Sequence, residues 1–300
     1  MQIKKLNNIG VEILDVDIMH LTEEDYKQIK KILIEELVVL IRKQCYENAY
    51  YFAKLVSKMG TIGNINTCIW NYPDGNLSNP QFYNGPKQMP EQWSFDKKLY
   101  PVQRVTGNKN KVGVSTGIFG TGTLSWHSNL NHPKNAAGVA LQAIQGVEDT
   151  STSFMDTTAV YNEMSEEWKQ RCHAVIGHFK YTPEIWAEGL PEDQKKVMID
   201  NHIKLFGKLD YTMPLLNKNI SGSKTGLFFH YNNNCSFPSD PELLEDLKKL
   251  CFQEKYIYKH WWETGDIILM EQRLTLHKRD QDDPAILKDR LLHRYTFLLN

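Results

Sequence analysis

Apolar positions set the first expectations. Behind Thr22-Glu23-Glu24-Asp25, a helix-start signal with an acidic first turn, Tyr26, Ile29, Leu33 and Leu37 recur at helical spacing. The segment "LVVLIR" (37–42) is short, apolar and β-branched, and predicts a buried strand. "VEILDVDI" (11–18) alternates as a strand does, and "YENAYYFAKLVSKMG" (46–60) predicts a second helix closed by Gly60 as its C′ residue. From 102 onward strands dominate: "VQRVTG", "TLSWHSN", "AAGVALQAI" and "STSFMD". One helix is expected over about 158–173, capped by Thr157 or Thr158, and another within "PEDQKKVMIDNHIKLF". A strand near 226–231 and a helix near 241–252 precede a β-rich end, "KYIYKHWWETGDIILMEQRLTLHKR" and "RLLHRYTFLL". No repeat, low-complexity tract or linker interrupts the chain. The pattern predicts one domain over 1–300, mainly β, with helices flanking a β core.

Residues 61–100 break the pattern, being rich in Asn, Pro, Gly and aromatics. A loop of that length is either a lid or binding loop, or a surface insertion. Trp70, Tyr72, Tyr83 and Trp93 could wall a pocket, and each could equally anchor the loop.

Composition narrows the class. The chain has 300 residues, 41% hydrophobic and 24% charged, as in a globular protein with a substantial core. A net charge of −1 gives no electrostatic reason to expect nucleic acid as a partner. Five widely spaced cysteines without a CxxC suggest reduced thiols, neither a disulfide framework nor a zinc cage. With no signal-like or membrane-length apolar run, the expected location is the cytoplasm, with no membrane partner. The expected partner is a small-molecule substrate, and a homo-oligomer stays open.

Candidate chemistry lies in "LSWHSNLNHP" (124–133). On a strand, His127 and Asn129 at i and i+2 share a face and could present two ligands to one metal. A lone strand histidine is more often a packed side chain. The C-terminal third alters that balance: a Gly265-Asp266 turn, a strand over 267–271 and His277 are followed by Arg290 and Arg294. Those two arginines, four apart on a strand, face the same way.

This set resembles the taurine dioxygenase/clavaminate synthase-like family of iron(II)- and 2-oxoglutarate-dependent oxygenases. The resemblance runs from "LVVLIRKQ" through "WHSN" and "STSFMDTTAVYNEMS" to "GDIILMEQRLTLH" and "RLLHRYTF". It implies a double-stranded β-helix, or jelly roll, with Fe(II) and 2-oxoglutarate at one mouth. His127 and His277 match the family's iron-binding histidines, and Asn129 stands where the acidic ligand usually does. Arg290 and Thr152 match the partners of the 2-oxoglutarate distal carboxylate, while Arg294 matches a substrate acid-group arginine. The implied reaction is hydroxylation of a small organic or amino acid, releasing succinate and carbon dioxide. A facial triad suits ferrous iron because it leaves positions for co-substrate and oxygen. The distal carboxylate calls for the planar fork of an arginine.

Asn129 departs from the pattern. Its amide oxygen is neutral and a poorer donor than carboxylate, so the site carries one more positive charge. Three outcomes follow: weak iron binding that still supports oxygenation, a catalytically altered member that binds small anions, or a halogenase with chloride in the vacated position. A jelly-roll binding protein without redox chemistry is the alternative from another class. It would leave His127, His277 and Arg290 apart in space. His132 is expected in the following loop. His178 and His293 are expected to be structural or to support the site from behind, His230 a core or pocket group, and Asp266 a turn residue.

Overall fold

The computed structural model describes residues 1–45, 49–62, 102–108, 119–120, 122–129, 137–180, 210–232 and 234–299, with a few helical positions between 192 and 203. The aromatic-rich excursion beyond Ile62, with Trp70, Tyr72, Tyr83 and Trp93, and also His132, lies outside the described residues.

The strands, in chain order, are β1 Gln2–Lys5, β2 Val11–Leu14, β3 Val38–Ile41, β4 Gly60–Ile62, β5 Gln103–Thr106, β6 Gly138–Gln145, β7 Ser151–Asp156 and β8 Ile176–Phe179. They continue with β9 Tyr211–Pro214, β10 Leu216–Lys218, β11 Thr225–Leu227, β12 Cys235–Ser236, β13 Ile257–Trp261, β14 Ile267–Glu271, β15 Thr275–Arg279 and β16 Leu291–Leu299. Among the described residues the larger sheet runs β1-β2-β3-β14-β6-β16-β4, with β5 added alongside β16. A smaller sheet, β13-β7-β15, is antiparallel throughout.

Side-chain alternation sorts these strands into layers. On the larger sheet Val39, Ile41, Ile267, Leu269, Tyr295 and Phe297 face helices α1 (Glu23–Glu36) and α2 (Tyr50–Met59). Their neighbours Val38, Leu40, Ile268, Met270 and Leu292 face inward and join Phe154 of the smaller sheet in a second cluster. The outer face of the smaller sheet, through Met155 and Leu276, packs on a third cluster around Phe179, Phe228 and Phe229. Two facing sheets with flanking helices are the mainly β jelly-roll layout expected from the sequence. Burial on both faces explains why "VVLI" and "IILM" are continuous apolar runs rather than alternating ones.

Local signals hold in part. Thr22 closes a capping box: its hydroxyl accepts from the Asp25 N–H, and the Asp25 carboxylate accepts from the Thr22 N–H. Leu37 is buried just past the helix end, at φ 67°. Gly60 does end α2, but in extended backbone (φ 174°), not as a left-handed cap. A side chain there would collide with the Leu298 carbonyl across the β4–β16 pair, which explains the glycine. The single helix expected over 158–173 is two, Thr157–Glu163 and Glu166–Cys172. Asp156 caps the first, rather than Thr157 or Thr158. Ser165 caps the second by accepting from the Trp168 N–H after Met164 leaves helical geometry. No helix among the described residues is long and apolar enough to cross a membrane.

Candidate active site

The inward face of the smaller sheet carries the chemistry. On β15, Thr275, His277 and Arg279 alternate inward while Leu276 faces out. On the central strand β7, Phe154 pairs with His277, and Thr152 pairs with Arg279 on one side and His260 on the other. The segment expected as the strand "TLSWHSN" is a single β-bridge: His127 and His277 exchange backbone hydrogen bonds at 3.0 and 2.9 Å. Directly opposed residues of an antiparallel pair project to one face. The two imidazoles therefore stand together, ring centroids 4.3 Å apart.

Asn129 follows at a bend, and a buried glutamine holds it there. Its backbone N–H donates to Gln272 Oε1 at 2.7 Å, while the Ser128 hydroxyl donates to the Gln272 carbonyl at 2.7 Å. The facing sheet supplies Leu292 and Arg294 from β16. Arg290, expected on the same strand, stands immediately before it, ahead of a register shift at Leu291/Leu292, and still lines the same cavity. All six residues singled out from the sequence (His127, Asn129, His277, Thr152, Arg290 and Arg294) line one cavity. Leu124, Val105, Leu141 and Phe119 supply its apolar wall.

Burial controls the charge states. His127 is drawn from 6.5 to about 4, chiefly by burial, with the Ser125 carbonyl opposing and Arg294 and Arg279 adding to the shift. His277 lies well below 6.5 for the same first reason, with His127 and Arg294 contributing. Both rings are thus neutral at ordinary pH, the state a metal ligand needs. His127 Nδ1 lies 2.7 Å from the Ser125 carbonyl. A carbonyl only accepts, so Nδ1 carries the hydrogen and Nε2 keeps its lone pair for a metal. Among the described residues no group of three His, Cys, Asp or Glu side chains could hold a metal. Asn129, which also lines the cavity, carries an amide oxygen that could serve as a third donor.

The guanidinium groups point to an anion. Arg290 is 4% exposed and its Nε has no hydrogen-bond partner among the described residues. Burial, with Arg279 adding repulsion, lowers it to about 9. A buried cation left without a partner is costly, and a bound carboxylate would relieve that cost. Arg294 Nη1 donates to Gln103 Oε1, and its guanidinium lies 5.8 Å from the centre of the Phe119 ring. Thr152 is buried, and its oxygen accepts from the Trp262 indole at 2.9 Å. Among the described residues no carboxylate lines the cavity. The donor set thus fits an Fe(II)–keto-acid pair: neutral imidazoles for the metal and an unmatched arginine for a distal carboxylate.

Three contributors escaped the sequence reading. Arg279 is 6% exposed, lines the cavity, and donates from Nη1 to the Phe119 carbonyl at 2.6 Å and from Nη2 to the Gly122 carbonyl. Its signal was available, since it lies two residues past His277 on the same strand face. Gln272 gave no local signal, because its role depends on a segment 143 residues away. Gly146, at φ 58°, lies where a side chain would collide with the Asp289 carbonyl and crowd the Arg290 N–H. Gly146→Ala is therefore expected to cost about 1–2 kcal/mol of stability from the left-handed backbone. It should also displace Arg290 and weaken 2-oxoglutarate while sparing metal affinity. Thermal unfolding and anaerobic titration together check this.

The remaining histidines divide. His178 is exposed on β8. His293 faces away from the cavity, between the inward Leu292 and Arg294, and its Nδ1 is buried without a partner among the described residues. Asp266 is more than a turn residue: it is fully buried, accepts from Arg42 Nη1 at 3.0 Å and lies 2.9 Å from His260 Nε2. His230 sits against Phe179 and Phe228 and is pushed from 6.5 to about 3, mainly by burial and secondarily by His127. The folded chain keeps His230 neutral where the unfolded chain protonates it. Stability should therefore fall as pH drops from about 6.5 towards about 3, by up to about 1.4 kcal/mol per pH unit. His230→Leu should flatten that limb in acid-unfolding curves of the metal-free protein.

A model of the family described as taurine catabolism dioxygenase TauD, TfdA family matches residues 2–296. The chain is 25% identical over 200 residues to pentalenolactone F synthase of Streptomyces arenae, covering 61% of this chain and 64% of that protein. The match thus spans just under two thirds of that relative's length. It is 21% identical over 334 residues to the alpha-ketoglutarate-dependent xanthine dioxygenase xanA of Emericella nidulans, covering 90% of this chain and 87% of that one. Among solved structures, AAD-2 in complex with Mn(II) and N-oxalylglycine superposes with a TM-score of 0.67 at 15% identity, covering 100% of this chain and 97% of that one. A taurine dioxygenase from Burkholderia xenovorans gives 0.66 at 16% identity, covering 100% and 89%. At such identities the structural likeness establishes the shared fold.

Proposed function

Because the chain belongs to the taurine catabolism dioxygenase TauD, TfdA family, whose members use Fe(II) and 2-oxoglutarate, we propose that it oxygenates a small organic or amino acid. His127, Asn129 and His277 would hold the metal, Arg290 and Thr152 the distal carboxylate of 2-oxoglutarate, and Arg294 the acid group of the substrate. The observation that carries this is the arrival of all six side chains at one cavity. Ferrous iron with 2-oxoglutarate supplies oxygen activation coupled to release of succinate and carbon dioxide.

The chain's own side chains do the rest. The fork of Arg290 can take both oxygens of a carboxylate, and the Thr152 hydroxyl can donate to one of them. Leu124, Leu141 and Leu292 exclude water, which strengthens those charge-assisted bonds. Arg279 ties the Phe119 and Gly122 carbonyls beside Arg294 and adds positive potential to a cavity that no carboxylate among the described residues lines.

That excess of positive charge also supports a second reading, a catalytically altered member that binds small anions. Asn129 is larger than the Gly or Ala that leaves room for chloride in related halogenases, which weighs against the third. Buried or exposed free thiols at Cys45, Cys172, Cys235 and Cys251 suit a reducing compartment such as the cytoplasm. The test is succinate formation from 2-oxoglutarate with ferrous iron and oxygen, in the presence of candidate carboxylic, amino and sulfonic acids. Succinate release stimulated by one of them supports oxygenation. Tight 2-oxoglutarate binding without any turnover supports the anion-binding reading.

A further inference from the structure

Thr152 is oriented by a residue outside the cavity. Trp262, 3% exposed and immediately after β13, donates its indole N–H to Thr152 Oγ1 at 2.9 Å. An indole nitrogen only donates, whereas a hydroxyl has one hydrogen to give and two lone pairs to accept with. With one lone pair engaged by Trp262, the Thr152 hydrogen cannot point that way and is left for a partner on the cavity side. The indole has little freedom to shift. Its backbone N–H donates to the Thr150 carbonyl at 3.1 Å, and its ring meets His260 edge-on at 4.7 Å. His260 is itself held, with Nδ1 3.0 Å from the Tyr258 hydroxyl. Its Nε2 lies 2.9 Å from Asp266 Oδ2, close but too far off-axis for a hydrogen bond. Asp266 in turn accepts from Arg42 Nη1 and from the Glu263 N–H.

We propose that Trp262 is a positioning residue for the co-substrate: its indole N–H commits the Thr152 hydroxyl to donating towards the distal carboxylate of 2-oxoglutarate. This rests on the assignment of Thr152 and Arg290 to that carboxylate. It predicts an effect confined to keto acids that carry a distal carboxylate. Trp262→Phe keeps the aromatic bulk and removes the donor, freeing the Thr152 hydroxyl to rotate.

The experiment is anaerobic titration of the Mn(II)-loaded full-length protein with 2-oxoglutarate and, separately, with pyruvate, which lacks the distal carboxylate. Trp262→Phe should weaken 2-oxoglutarate by about three- to tenfold, the worth of one hydrogen bond, and leave pyruvate unchanged. In a Thr152→Val background, which has no hydroxyl to orient, Trp262→Phe should have no further effect. Equal losses for both keto acids, or additive losses in the double variant, would show a merely structural indole and overturn the proposal. So would unchanged 2-oxoglutarate affinity in Trp262→Phe while Thr152→Val loses it. If Thr152→Val itself leaves 2-oxoglutarate affinity intact, the Thr152 assignment fails, and the proposal with it. Should Trp262→Phe not fold, site-specific benzothienylalanine at position 262 keeps the bicyclic ring and removes only the N–H, with the same outcomes.

Discussion

Arg290→Ala is expected to weaken 2-oxoglutarate by about 2–5 kcal/mol, roughly thirtyfold to several thousandfold, the cost of removing one partner of a buried charge pair. The motive is physical. Arg290 is buried, its Nε has no partner among the described residues, and it is repelled by Arg279, so the free site is primed for an anion. Arg290→Lys should recover part of the affinity, because a point charge replaces a planar fork. Metal affinity should change little in either variant, since the imidazoles lie on the opposing elements. Anaerobic titration measures all of this. Unchanged affinity in Arg290→Ala would pass the role to Arg294 or Arg279.

Asn129→Asp is the second large effect. A carboxylate at the same reach adds a charge-assisted donor and cancels one positive charge in a cavity that otherwise holds three arginines. Ferrous iron should bind at least about tenfold more tightly, and 2-oxoglutarate should be converted to succinate at least as fast. Asn129→Gly should instead open space beside the metal, detectable as a chloride-dependent change in the iron spectrum. Competition with a metal-binding dye reads the affinity without knowledge of the substrate. If the Asp variant binds iron no better, Asn129 does not point at the metal. The anion-binding and halogenase readings then move ahead of hydroxylation.

Much of the layout was legible because burial writes itself into runs and alternations. "VVLI" reads as a buried strand and "IILM" as a strand, and both are covered on both faces. Leu292 and Arg294 lie on one face because period two places them there, and Arg290 joins them from just before the strand. What local patterns could not show were contacts made across long sequence distances. Gly60 reads as a helix cap, yet it is glycine because the Leu298 carbonyl passes close by. "TLSWHSN" looks like a strand, yet only His127 bridges, since Asn129 bends away to meet Gln272. The helix expected over 158–173 breaks because Met164 leaves helical geometry and the Ser165 hydroxyl accepts from the Trp168 N–H to start a second. Arg279 was missed although the same i, i+2 logic applied to His127 and Asn129 would have found it beside His277.

The central claim is that one cavity holds ferrous iron and 2-oxoglutarate together, with Asn129 accepted as a ligand. The most direct measurement adds Fe(II) and 2-oxoglutarate to the protein without oxygen and records the visible charge-transfer absorption of a keto acid chelated to ferrous iron. The absorption should develop with the unaltered chain, strengthen in Asn129→Asp and vanish in His277→Ala. Absence of that absorption from the unaltered chain at saturating iron and 2-oxoglutarate, or its persistence in His277→Ala, would contradict the account.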